Sequence, residues 1–195
     1  MKNLIVALLT IVVVILLAGA GFIYSGAFNV AATNKDSALV SWLLSVTRER
    51  SIESRIGGIV APPDSEMTSH ETLTEGFEHY NEMCVICHGA PGVEPGEARE
   101  GLNPQPPLLA KAKQLQNDPP EELFWVIKNG IKMTGMPAWG PTHSDDKIWA
   151  IVAFVKKLPN MSATEYKAMQ QQLGESGHHS DHDHGHDEEH VHSEK

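Results

Sequence analysis

The sequence predicts an all-α protein: one membrane-length helix, a small helical domain and an unstructured tail. Three observations carry this prediction. Leu4 to Ile23 is an almost purely apolar stretch without a charge, long enough to span a bilayer as a helix. From about Thr68 to Pro159 apolar residues recur at helical spacing between capping and stop signals. From Glu175 to Lys195 histidines and acids replace apolar residues, which leaves too little to bury for independent folding.

The chain has 195 residues and a formal net charge of −10. That length suits one ordinary domain with extensions. The negative charge argues against nucleic acid as a partner. It is uneven: Glu175 to Lys195 holds seven acids against one lysine, and the rest is only mildly acidic. We divide the chain into an anchor or signal (1–26), an amphipathic helix and linker (27–66), a helical domain (67–174) and a tail (175–195).

Lys2 precedes the apolar stretch and Tyr24 follows it. The lysine points to a cytoplasmic N-terminus, and the tyrosine suits the far interface. A cleaved secretory signal is the rival reading, with Ala18-Gly19-Ala20 as the cut. The apolar run continues past that cut to Ile23, which favours a retained anchor. Either way the remainder is exported.

Asp36 to Ile56 reads as an amphipathic helix. Leu39, Trp42, Leu43 and Val46 follow the i, i+3, i+4, i+7 pattern, Arg48, Arg50 and Arg55 follow, and Gly57-Gly58 stops it. Two readings stand side by side: a helix lying on the membrane with Trp42 near the headgroups, or one packed on the domain or a partner. Ala61-Pro62-Pro63-Asp64-Ser65 then reads as a stiff linker.

The domain opens with a capping box, Thr68-x-x-Glu71. Leu73, Phe77, Tyr80 and Cys84 fall on one face of the first helix, and Gly76 permits close approach of another helix. The middle helix has Asp118 as N-cap, Pro119 at its first position, Glu121 completing the box and Gly130 as its stop. Its Leu123, Val126 and Ile127 face inward. The next helix has Ser144 as N-cap, Asp145-Asp146 in its first turn and Lys156-Lys157 before Pro159. Ile148, Trp149, Val152 and Val155 should pack near Phe77. Ser162-x-x-Glu165 caps one more short, peripheral helix.

Cys84-Val85-Ile86-Cys87-His88 carries the chemistry. C-x-x-C-H is the pattern of covalent c-type haem attachment. Each thiol can add to one haem vinyl group, and the adjacent imidazole can supply the proximal iron ligand. The chain has two cysteines, so no disulfide is left over. The competing reading is half of a zinc site. A closed zinc site needs four ligands, and no second pair at similar spacing lies in the body of the chain.

A six-coordinate electron-transfer haem needs a second axial ligand, usually a thioether. Met136 sits between Gly135 and Pro137. The glycine lets the backbone come close, and the proline stiffens the exit. Met133 on the same loop is the competing candidate. Met83, Met161 and Met169 lie on expected helices, where packing is the simpler role.

The span from about Ser69 to Pro159 resembles a class I monohaem cytochrome c. The resemblance rests on Gly76, Phe77 and Tyr80, on Cys84 to His88, on Gly135-Met136-Pro137, and on the helix Ile148 to Val155. The N-terminal stretch and the phrase from Gly101 to Trp139 are similar to a membrane-associated bacterial subfamily. The resemblance implies an all-helical, cytochrome c-like fold around one haem c, and single-electron transfer. It also implies haem attachment outside the cytoplasmic membrane. Pro104, Pro106 and Pro107 lie where that family often sets a proline carbonyl against the proximal histidine, and Pro107 is the candidate. Trp139 has two readings, an indole N–H to a haem propionate or a filler of the haem edge. His79 and His143 read as surface histidines.

In the tail, His178, His179, His182, His184, His186, His190 and His192 alternate with acids. Such tracts bind Zn, Ni or Cu ions. A metal role and a merely solvated tail are both open. The sequence as a whole reads as a single-pass protein of the bacterial cytoplasmic membrane. Its haem domain would face the periplasm and pass single electrons between redox protein partners. No small-molecule substrate is expected, and whether the chain belongs to an oxidoreductase complex is open. The alternatives are a haem enzyme with a labile sixth ligand, acting on peroxide or nitric oxide, and a metal-responsive binding protein acting through its tail.

Overall fold

A computed structural model describes residues 1–177. Most of the expected tail, including its seven histidines, lies outside the described residues. Within them the protein is helical, with a single isolated bridge between Ala90 and Val93 and no strand. Two compact units divide at Trp42–Leu43, inside one continuous helix.

In the first unit, α1 spans Lys2–Tyr24 and buries none of its side chains. Its 23 residues give a length of about 34 Å at 1.5 Å per residue. Among the described residues it is the one helix long and apolar enough to cross a membrane. Ser25 closes it, its amide donating to Gly21 O and Phe22 O. Helix α2, Ala38–Glu53, is shorter at both ends than the pattern predicted. Ser37 rather than Asp36 supports its start, with the Val40 amide 3.4 Å from Ser37 Oγ. At the other end Arg55 Nη1 donates to Ser51 O at 2.7 Å and the Arg55 amide turns back to Ile52 O. The helix thus ends before Gly57 is reached.

The second unit is built on a crossing of two helices. Helix α3 is one turn, Asp64–Met67, with Met67 buried, so the expected linker ends at Pro63. Thr68 Oγ1 donates to Asp64 O at 2.7 Å and is therefore spent on α3. Ser69 becomes the N-cap of α4, His70–His79, accepting from the Thr72 amide. The sequence-based box on Thr68 is one residue early. Helices α5 (Val85–His88) and α6 (Pro120–Asn129) follow. Pro120, not Pro119, takes the first position of α6, and Lys156 Nζ donates to Asp118 O at 2.6 Å. Helix α7, Asp145–Lys157, begins after Ser144 with two acids and ends with two lysines, charges that complement its dipole.

Helix α7 is buried along eight consecutive residues, Ile148 to Val155. It packs against α4 at Gly76, where an added Cβ would lie 2.6 Å from the Ala150 carbonyl carbon. Phe154 meets Phe77 edge-on at 5.5 Å. Trp149 stacks instead on Phe124 of α6, with centroids 4.2 Å apart. Phe124 and Ile127 are the buried residues of α6, whereas the expected Leu123 and Val126 are half-buried.

Helix α8, Ala163–Gly177, is neither short nor peripheral. Its capping box forms, the Ser162 amide reaching Glu165 Oε2 at 2.7 Å and the Glu165 amide reaching Ser162 Oγ at 3.2 Å. Tyr166 is wholly buried, edge-on to Phe77 at 5.3 Å. Its hydroxyl donates to Asn81 Oδ1. Met169 packs against the same core, as does Met161, which lies before α8 in extended backbone rather than on a helix.

Candidate functional site

Helix α4 does not run straight into the Cys-x-x-Cys-His segment. Tyr80–Cys84 forms one π turn, closed by the Val85 amide donating to Tyr80 O. Such single-turn π bulges concentrate at functional sites. Here the wider turn re-aims the chain just before α5, so Cys84 ends one turn and Cys87-His88 end the next. Tyr80 is fully buried and its hydroxyl donates to Gly89 O at 2.6 Å. That bond pins the far end of the motif to its beginning. Gly89 lies at φ 63 and breaks α5 immediately after His88. A tight turn follows, with Ala90 and Val93 exchanging two hydrogen bonds of 2.9 Å. The Gly96 amide then returns to Ile86 O at 2.7 Å.

The loop beyond this point carries the prolines. Arg99 Nε donates to Pro106 O at 3.0 Å. His88 Nδ1 stands 2.9 Å from Pro107 O. A carbonyl oxygen only accepts, so Nδ1 carries the proton and Nε2 keeps its lone pair. Burial holds the His88 imidazole below its ordinary pKa, and Arg99 adds to this while the Pro107 bond opposes it. The neutral imidazole is the form that can ligate a metal.

Burial, with the neighbouring Cys87 adding to it, pushes the Cys84 thiol up to about 12. Both cysteines are free and half-buried. Among the described residues no group of three or more His, Cys, Asp or Glu side chains is arranged to hold a metal ion. Among the described residues, Cys84 and Cys87 therefore have no further protein ligands with which to close a zinc tetrahedron. Two free thiols one turn apart, beside an imidazole oriented with Nε2 unpaired, fit a covalently held haem.

The methionine loop is anchored on the end of α6. Gly130, at φ 64, stops that helix, and a Cβ there would lie 2.7 Å from Ala138 N and 2.8 Å from Met136 O. The loop thus crosses back over its own origin, a close approach that requires glycine. The Ile131 amide donates to Met136 O at 3.2 Å, and the Met136 amide to Thr134 Oγ1 at 3.1 Å. Trp139 N and Gly140 N then return to Ile127 O and Lys128 O. Within this frame the two methionines differ. Met136 is half-buried and packed against the core. Met133 is 94% exposed, at φ 61. At Gly135 an added Cβ would lie 2.6 Å from Leu102 Cδ2, so a side chain there would have to displace the end of Leu102.

Cys84, Met136 and Trp139 pack against one apolar core. Trp139 also meets the His143 ring edge-on at 5.5 Å. His143 in turn faces His79 at 5.1 Å. These two histidines are thus a contact pair rather than separate surface residues, and the His79 side chain is only 17% exposed. Sequence reasoning missed the π turn and the approach of Leu102 to Gly135, neither of which leaves a local signal; Gly130 ends α6 as its position in the sequence predicted.

No curated protein matches the chain. Residues 71–155 match the family described as Cytochrome C oxidase, cbb3-type, subunit III. The matched stretch contains α4 from Glu71 onward, the π turn, Cys84 to His88, the methionine loop and the buried part of α7. Residues 71–155 are a c-type cytochrome domain, which implies haem c and electron transfer.

Proposed function

We propose that this chain is a membrane-anchored single-electron carrier with one haem c under His88/Met136 axial ligation. The observation that carries the reading is the contrast on the methionine loop. Met136 turns into the core while Met133 is 94% exposed. A domain whose own thioether completes the iron coordination offers no open position for substrate, which favours a carrier over a peroxide or nitric oxide enzyme.

The haem supplies the one-electron iron couple; the protein supplies attachment, orientation and burial. Cys84 and Cys87 each form a thioether. His88 offers Nε2, held in that tautomer by Pro107 O. Thr134 and Ile131 hold the Met136 backbone by the bonds given above. Trp139, packed against the same core as Met136, would border the haem. The Tyr80–Gly89 bond and the Gly96–Ile86 bond keep the motif in one conformation, so little needs to rearrange when the electron moves.

In this reading helix α1 is retained as a single-pass anchor, and Lys2 ahead of the span supports a cytoplasmic N-terminus with the haem domain in the periplasm. The matched family is described as an oxidase subunit, which supports redox partners within or beside a membrane oxidase complex. The seven tail histidines between His178 and His192 are proposed to hold divalent Zn, Ni or Cu ions, on their alternation with acids.

The test is a potentiometric titration of the full-length protein with optical detection. A single one-electron wave and poor carbon monoxide binding by the reduced form are expected. A high-spin protein that binds carbon monoxide readily would instead support the enzyme.

A further inference from the structure

Helix α2 has two faces with different surroundings. On one, Ile52 is 4% exposed and Ser45, two turns earlier, is half-buried. The end of α2 is therefore seated on the helical domain. The other face is the stripe Leu39, Trp42, Leu43 and Val46, with exposures of 65, 59, 48 and 36%. Among the described residues, all four side chains are exposed.

We propose that this stripe lies in the membrane surface, so that α2 is an interfacial helix fastening the domain to the bilayer. The inference rests on the reading of α1 as a retained anchor. Three features select lipid as the occupant. First, large apolar side chains continue beyond α1 through Phe28 and Val30, which are 57 and 87% exposed. Uncovered apolar groups therefore continue past the end of the span, as far as the polar Thr33–Ser37 segment that precedes α2. Second, Trp42 sits at the centre of the stripe, and an indole is the side chain best suited to the headgroup boundary. Third, charge does not compete. Arg48 lies 3.4 Å from Glu49 and Arg50 lies 2.9 Å from Glu53, so the helix is largely self-neutralised and its attachment is apolar. A helix of this kind buries its apolar face at the headgroup–acyl boundary.

The chain has two cysteines, which the proposed function assigns to haem attachment, so in the holoprotein an introduced cysteine is the site open to a thiol label. Leu43→Cys and Ser41→Cys variants of the full-length protein, spin-labelled and reconstituted in phosphatidylcholine vesicles, test the proposal by power saturation. Ser41 lies on the side of α2 away from the stripe and is exposed. The label at position 43 should be open to oxygen and shielded from a water-soluble nickel chelate, and the label at 41 open to the chelate. Equal access of the chelate to both overturns the proposal while the anchor stands. Shielding of position 43 from oxygen as well as nickel also overturns it, because protein then covers the stripe. Failure of the protein to float with the vesicles overturns anchor and interfacial helix together.

Discussion

Gly76 and Ala150 meet at the point where α4 crosses α7, backbone against backbone. A Cβ on Gly76 would overlap the Ala150 carbonyl oxygen, lie 2.6 Å from its carbon and reach 3.0 Å from Phe154 Cβ. The carbonyl belongs to a fully buried stretch of α7 and cannot swing away. Gly76→Ala should therefore separate the two helices and destabilise the domain by about 1–3 kcal/mol, as overpacking does. Thermal unfolding followed by circular dichroism checks this. An unchanged midpoint would mean that the crossing is looser than described.

Tyr80→Phe removes one hydroxyl and leaves the buried Gly89 carbonyl without its 2.6 Å donor. The expected loss is about 1–2 kcal/mol. Because that bond ties the π turn to the exit of α5, the variant should also mature with haem less completely. Denaturant unfolding and the haem-to-protein absorbance ratio measure the two effects separately.

His79 gives the domain a dependence on pH. Burial, then His143 and Lys147, lower its pKa from the ordinary 6.5, against the opposing pull of Glu75 and Glu82. The unfolded chain therefore takes up this proton first as the pH falls. The contribution to stability is fully present above pH 6.5 and declines below it, levelling off once the folded form also protonates. His79→Gln should flatten the fall in melting temperature between neutral and mildly acidic pH. A variant whose profile overlays the parent would show that His79 does not carry the dependence.

The tail should bind Zn or Cu ions near neutral pH and release them as its imidazoles protonate, around pH 6. Truncation after Gly177 should abolish that binding in the full-length haem protein and leave the haem spectrum unchanged. Loss of haem ligation on truncation would make the tail part of the domain.

What could be read from the sequence depended on whether the signal was local. The uncharged stretch of α1 is one unbroken run, the Cys84–His88 motif and the Ser162–Glu165 box are each complete within a few residues, and the helix and the box appear where expected. The start of α4 was off by one because two overlapping caps compete. Thr68 loses to Ser69 only because Asp64 O, in a one-turn helix read as linker, takes the Thr68 hydroxyl. The inward face of α6 was misjudged because Phe124 is drawn in by stacking on Trp149, a partner on another helix. Tyr166 sits in a polar run, and its burial depends on a socket made by Phe77 and Asn81. The π turn has no compositional mark at all. At the site, the family resemblance pointed to Pro104, Pro106 and Pro107 alike, and nothing local in the sequence separates the candidate Pro107 from the other two. In the structure it is the Pro107 carbonyl that lies against His88 Nδ1.

The axial pair His88 and Met136 is the central claim, and the ferric absorption spectrum tests it most directly. The full-length protein should be low-spin and show the weak sulfur-to-iron charge-transfer band of a thioether ligand. Met133→Ala should keep the band, since Met133 is 94% exposed. Met136→Ala should abolish it, lower the reduction potential and admit carbon monoxide to the reduced iron, because thioether ligation favours the ferrous state. A band that survives Met136→Ala and disappears in Met133→Ala would contradict the account.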